Sequence, residues 1–265
     1  MTPIWTIVSG KGGVGKSTLA ASLAVGLAKR KKPVVLVDMD TGLRNQDMLL
    51  GLENRVMFDL VDVVDGNATL EQALVHDPTR PNLTLLSSSQ IHEGAVVALE
   101  ALSPVIDTLR GRFSHVIIDC PPGVGASFRL CGAVATEVIV CVTPDEIALR
   151  DADRAVGLLR HRGNPPLWLV VNRVRADWVR NRSMYAPQVI AQTLDVPLAG
   201  ILYEDEEVLR CQLARKAVIE SDAVIWQTMD DILRRLLGEK VPFTGLPEPE
   251  TSRGAGSRPS RKRRR

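Results

Sequence analysis

No apolar run in the chain approaches the roughly 18 consecutive residues that suggest a membrane-spanning helix. The opening stretch "MTPIWTIVSGK" lacks the basic start, apolar segment and small-residue cleavage site of a secretory signal, so none is expected. Cysteine is scarce and scattered: Cys120, Cys131, Cys141 and Cys211 form no CxxC pair. That pattern fits reduced thiols in a cytosolic protein and argues against structural disulfides. No fixed-period repeat is visible. A surplus of charge is also missing, since the formal net charge is only +2. That near-balance hides an asymmetry. Arg253, Arg258, Arg261, Lys262, Arg263, Arg264 and Arg265 follow Glu250 with no acid among them. Removing those seven leaves 26 basic against 31 acidic residues, a body of about −5. A globally basic nucleic-acid-binding domain is therefore not expected.

What is present suits one large domain: 265 residues, 45% hydrophobic and 24% charged, a balance that can bury a sizeable core. The runs "IWTIV", "VVLVD", "LTLLS", "HVIID", "VIVCVT" and "LWLVVN" are short, nearly continuous and rich in β-branched residues. Strands buried on both faces of a parallel sheet read this way. Helix-length patterns lie between them. Leu19, Leu23 and Leu27 share a stripe over residues 17 to 30, and Ile147, Ala148, Ala152, Ala155, Leu158 and Leu159 do so over 146 to 162. The alternation predicts an α/β fold with a doubly wound, mostly parallel sheet flanked by helices. Residues 222 to 237 gather Ile225, Met229, Ile232, Leu233 and Leu236, as expected of a last helix packed on that sheet. We place the globular domain at 1–243. Residues 244–265, dominated by Pro, Gly, Ser and Arg, are expected to be a disordered polybasic tail.

The chemistry begins at Gly10-Lys11-Gly12-Gly13-Val14-Gly15-Lys16-Ser17, which satisfies GxxxxGK[ST] between a strand and a helix, the context this phosphate-binding loop requires. Its glycines permit a tight path that aims backbone N–H groups at phosphate oxygens, and the following helix adds its positive end. Lys16 is placed for the β- and γ-phosphates of a nucleotide and Ser17 for Mg²⁺. Downstream, "HVIIDCPPG" ends a strand in Asp119, where the Mg²⁺ shell needs a carboxylate. The second strand ends "VVLVDMD", putting Asp38 and Asp40 at the same sheet edge and on the same side of an extended segment. Either acid could orient or deprotonate an attacking water. Lys11 is surplus to a complete phosphate cradle, and an additional cation there can face a second molecule.

"KGGVGKST" with both lysines resembles the deviant Walker A signature of the ParA/MinD family of dimerising ATPases. The block "VVLVDMDTGLRNQDMLLGLENRVMFDLVDVVDGNATLEQAL" is similar to the MinD branch, its core being Asp38, Asp40, Gly42, Leu43, Arg44, Asn45 and Asp47. "TPDEIALRDADR" and "LLGEKVPF" extend the similarity over roughly residues 3 to 243. The resemblance implies an ATPase acting in division-site placement, with ATP/ADP and Mg²⁺ as cofactors. It further implies a nucleotide-sandwich homodimer in which Lys11 reaches the partner's ATP while Lys16 serves its own subunit. Asp40 would position the attacking water with Asn45 nearby. Ser17, Asp38 and Asp119 would belong to the Mg²⁺ and switch shells, Thr18 would touch the α-phosphate, and Asn172 in "VVNRV" would recognise adenine. A MinC-like inhibitor and a MinE-like activator or other topological regulator are the implied partners, and the ATP-bound state is expected at the inner face of the cell membrane.

Three departures from the family pattern stand out. Tyr203 replaces a common Pro in the adenine-side loop, and Cys120 and Pro122 replace the usual Ser and Ala after Asp119. The third is the end of the chain. The family commonly ends in a short amphipathic helix that enters the membrane, whereas "SRGAGSRPSRKRRR" offers no Leu, Ile, Phe or Trp after Leu246. A polybasic tail attracts anionic lipid electrostatically, and nucleic acid for the same reason. The alternatives are thus a ParA-like or flagellar-number-regulating ATPase that associates with nucleic acid through its tail, or a tail that is only solvated. An iron–sulfur protein sharing the loop is disfavoured, because no cysteine falls between Lys11 and Asp119 to supply a second ligand.

Overall fold

The computed structural model describes residues 2–41, 45–89, 98–163, 165–221 and 224–243. Gly42, Leu43 and Arg44 of the "GLRN" block, the first two residues of the predicted last helix, and the predicted tail lie outside them. The strands are β1 (Ile4–Val8), β2 (Val34–Asp38), β3 (Leu74–His76), β4 (Leu83–Leu86), β5 (His115–Asp119), β6 (Glu137–Val142), β7 (Leu167–Val174) and β8 (Leu198–Tyr203). The helices are α1 (Lys16–Lys29), α2 (Gln46–Leu50), α3 (Leu60–Val64), α4 (Leu70–Ala73), α5 (Leu99–Arg112), α6 (Ala126–Val134), α7 (Glu146–Arg162), α8 (Ala176–Arg180), α9 (Pro187–Leu194), α10 (Glu206–Leu213) and α11 (Val224–Leu236).

The eight strands form one sheet in the order β3-β4-β2-β5-β1-β6-β7-β8. Every neighbouring pair is parallel except β3 with β4. All six strands expected from the apolar runs are present. The period of two in an extended chain divides each strand between two cores. Ile4 and Val8 of β1 join one core with residues of α5, α6, α7 and α9. Trp5 and Ile7 join the other with α1 and α11. Leu19, Leu23 and Leu27 are buried as the α1 stripe requires. The five apolar residues expected of the last helix are buried as well, with Ile232 so close to β8 that a Cβ on Gly200 would fall 2.1 Å from its Cγ1.

Two expectations need correction. Ile147 is 63% exposed while Ala148, Ala152, Ala155 and Leu159 are buried. At about 100° per residue, Ile147 sits beside the buried stripe of α7 rather than within it. β3 and β8 do not stand out as apolar runs in the sequence. β3 has only three residues, too few for a pattern, and β8 is interrupted by Gly200 and preceded by Pro197.

At the N-terminal edge of the sheet, both oxygens of Glu137 are held by indole N–H groups, Trp5 at 3.2 Å and Trp168 at 2.8 Å. His115 packs edge-on to Trp5, with ring centroids 5.2 Å apart. Burial, helped by the nearby Lys32 charge, pushes its imidazole down to about 4. The folded state therefore binds a proton less readily than the unfolded chain, whose histidine titrates near 6.5. Stability is full above about pH 6.5 and falls as pH drops toward 4, a loss of about 3 kcal/mol from this group. Thermal unfolding followed across pH 4–7 is expected to show a shallower acid decline for His115→Asn than for the native chain.

Candidate functional site

The C-terminal ends of β1, β2, β5, β7 and β8 meet at one edge of the sheet, where open α/β folds place their ligands. The phosphate loop leaves β1 there and turns into α1. Gly13 and Gly15 take left-handed φ values of 75° and 93°. Gly15 is the N-cap of α1, with no side-chain cap and no acid in the first turn. A side chain at Gly15 would be strained by its φ and would meet Asn172 Nδ2 at 2.2 Å. Instead that nitrogen donates to the Val14 carbonyl at 2.7 Å. The uncapped N-terminus of a 14-residue helix, fronted by a loop that turns through left-handed φ at Gly13 and Gly15, is a fit for phosphate.

A cleft of about 1020 Å³ opens over this loop. Gly12, Gly13, Gly15, Lys16, Ser17, Thr18, Asp40, Asn45 and Asn172 line it, joined by Tyr203 and residues of α10. Behind the wall are Asp38 and Asp119, 0% and 1% exposed. Lys16 Nζ lies 3.0 Å from Asp119 Oδ1. Burial alone would lower the ammonium's pKa, but the carboxylate outweighs it and the group is held above its usual value. Burial and the neighbouring Asp119 charge push Asp38 up to about 8. Burial also raises Asp40, with Lys16 opposing. One buried ammonium thus faces three enclosed carboxylates, a surplus of negative charge that a divalent cation would relieve. All the donors are oxygen, the set a hard cation such as Mg²⁺ takes. Among the described residues no three His, Cys, Asp or Glu side chains are placed to hold an ion by themselves. The Ser17 hydroxyl, a further oxygen donor, lines the same cleft.

Gly10, Lys11 and Val14, grouped with the loop in the sequence, are not on the wall of this cleft. Val14 is buried beneath it, and Gly10 is pressed against the backbone of α7. Lys11 faces an adjoining cavity of about 500 Å³ with Asp145 and Trp178, and its ammonium lies 3.7 Å from Asp145 Oδ1, both side chains nearly half exposed. Such a pair is worth under about 1 kcal/mol and leaves Lys11 available.

Two amides were missed in the sequence. Gln46, fully buried, donates from Nε2 to Asp119 Oδ2 at 2.7 Å and to the Ser17 carbonyl at 3.1 Å. Gln212 on α10 donates to Thr18 Oγ1 at 3.0 Å. Gln46 had one signal, its place between Asn45 and Asp47 in the block already singled out. Gln212 had none.

A glycine loop between a central parallel strand and an uncapped helix, with a buried lysine and three carboxylates at the strand ends, defines a P-loop NTPase of the deviant Walker A class. The ParA family model, described as NUBPL iron-transfer P-loop NTPase, matches residues 1–181. The septum site-determining protein MinD of Helicobacter pylori is 39% identical over 250 residues, 92% of this chain and 93% of that protein. Among solved structures, a MinC:MinD cell division protein complex from Aquifex aeolicus superposes with a TM-score of 0.85 at 32% identity, covering 94% of this chain and all of the other. MinD of Pyrococcus horikoshii complexed with Mg-ADP gives 0.78 at 27% identity, covering 89% and 96%. The chain belongs to the ParA/MinD family of P-loop ATPases, and within it to the MinD group of division-site ATPases. All four cysteines are free and buried.

Proposed function

We propose that this chain is an ATP-hydrolysing switch whose ATP-bound form is a homodimer that brings a MinC-like inhibitor of division to the membrane. The observation that carries this reading is the division of labour between the two lysines. Lys16 is buried on Asp119 at the base of its own cleft, whereas Lys11 is half-exposed outside that cleft. A cation so placed serves a nucleotide held by a second copy, so assembly depends on the triphosphate and hydrolysis releases it. The loop backbone, Lys16, Ser17 and Thr18 bind the phosphates. Ser17, Asp38 and Asp119 would hold Mg²⁺, and Asn172, on the cleft wall, would recognise adenine. Mg²⁺ supplies charge neutralisation to the transferring phosphoryl group. Asp40, at the cleft wall with its carboxyl raised by burial, orients the attacking water, with Asn45 beside it. A MinE-like regulator would stimulate that step.

Among the described residues no helix is long and apolar enough to cross a membrane. For peripheral attachment the basic segment after Glu250 offers about 1 kcal/mol per basic residue near an anionic surface. Light scattering with ATP and Mg²⁺ tests the dimer: Asp40→Ala is expected to double in mass, and adding Lys11→Ala to return it to monomer while ADP binding stays within about threefold. An Asp40→Ala chain that stays monomeric with ATP would sink the model. The same ATP-loaded dimer should sediment with anionic liposomes, and truncation at Glu250 should weaken that binding.

A further inference from the structure

Gln46 occupies a position that the phosphate loop and the carboxylates do not explain. It is the first residue of α2, and it is 0% exposed. Three of its bonds run to three different elements. Nε2 donates to the Ser17 carbonyl at the start of α1 and to Asp119 Oδ2 at the end of β5. Its backbone N–H donates to Asp38 Oδ2 at the end of β2, 3.3 Å away. These are the three residues assigned above to the metal shell. Its remaining polar atom, Oε1, is buried and has no hydrogen-bond partner among the described residues. An acceptor left in that state is destabilising, and a polar enclosure of this kind is where a bound water is retained.

The amide matters most once nucleotide is bound. Lys16 and Gln46 divide the Asp119 carboxylate, one on each oxygen. When Lys16 turns to the phosphates, Asp119 loses its ammonium and Gln46 is the tether that stays. A neutral amide can hold the carboxylate without competing for a cation, which a second lysine could not do. We infer that Gln46 is a positioning residue for the metal: it fixes Ser17, Asp38 and Asp119 relative to one another and leaves Oε1 to accept from a water of hydration. The inference rests on the Mg²⁺-nucleotide reading of this site.

The test uses the full chain and a fluorescent ADP analogue, titrated first in EDTA and then with Mg²⁺. Gln46→Met keeps the side chain's length and burial but removes the amide. Gln46→Asn keeps an amide too short to span Ser17 and Asp119. Affinity in EDTA is expected to stay within about twofold, while the Mg²⁺ concentration giving half of the affinity gain rises about tenfold for Gln46→Met, the scale of a lost bond to a charged group. Gln46→Asn should shift it in the same direction, and carries the comparison if the Met variant does not fold. An unchanged Mg²⁺ midpoint, or an equal loss in EDTA, overturns the inference. If the native chain gains no affinity from Mg²⁺, the metal reading falls and takes the inference with it.

Discussion

Lys16→Ala is expected to lower ATP hydrolysis by at least about 100-fold, the scale of losing one charge aimed at a transition state. It should also weaken the protein in the absence of any nucleotide. The ammonium is 7% exposed and sits 3.0 Å from a carboxylate that is 1% exposed. Removing one member of a buried pair strands the other, at about 3 kcal/mol or more. For a chain of this size that corresponds to a fall in Tm of roughly 6–12 °C. The loss should depend on pH in a defined direction. Asp38 already titrates at about 8 because it is buried beside Asp119, and Lys16 is the cation that restrains Asp40. Without it, the folded state holds protons that the unfolded carboxylates, near 3.9, have released. A group raised on folding contributes stability at low pH and loses it as pH climbs through the folded value. The variant's deficit should therefore be larger at pH 8 than at pH 6. Thermal unfolding at both values decides this, and a pH-independent deficit would contradict the buried-surplus account.

Much of this is legible in the sequence, for identifiable reasons. Parallel strands covered on both faces carry no alternation to misread, so β1, β2, β4, β5, β6 and β7 stood out as apolar runs. A phosphate loop is a local motif, and its residues fold where their spacing puts them. Asp38, Asp40 and Asp119 could be joined to it because each ends such a run, and the ends of parallel strands share one edge. What stayed hidden was either short or non-local. β3 is three residues paired antiparallel to a strand beyond a turn, with no period to detect. Ile147 falls outside the buried face because a stripe drawn on a helix has a width that the sequence does not specify. Gln46 lies in a block already noticed, yet only the folded chain brings an amide at residue 46 against a carboxylate at 119. The two lysines of the loop and their separate roles were expected from the sequence, but the partner of each, Asp119 for Lys16 and Asp145 for Lys11, appears only in the fold.

Gly10→Ala should be the more damaging of two apparently equal glycine changes in the loop. As a motif residue, Gly10 is read as serving phosphate. In the structure it is where the loop meets α7. A Cβ there would lie 2.4 Å from both the carbonyl carbon and the oxygen of Asp151, and 2.6 Å from its Cβ. Two of those three atoms are helix backbone, so no rotamer change relieves the contact and loop and helix must part. Forcing an added methyl into a packed contact costs about 1–3 kcal/mol, and a rigid helix opposite puts this case at the upper end. The displacement also reaches the site. Asp145, which caps α7 by accepting from Ala148 N, is the residue paired with Lys11, so the outward lysine and the phosphate cradle move with the same loop. Gly12→Ala is the control, because its added Cβ would meet only the Pro122 side chain at 3.8 Å, an ordinary contact. Unliganded Gly10→Ala is expected to melt several degrees lower, at roughly 2–4 °C per kcal/mol, and to bind ADP at least about tenfold more weakly, whereas Gly12→Ala should melt with the native chain. Equal melting of the two variants would mean that the contact with α7 yields without cost, and that the first glycine of this loop acts only on the nucleotide.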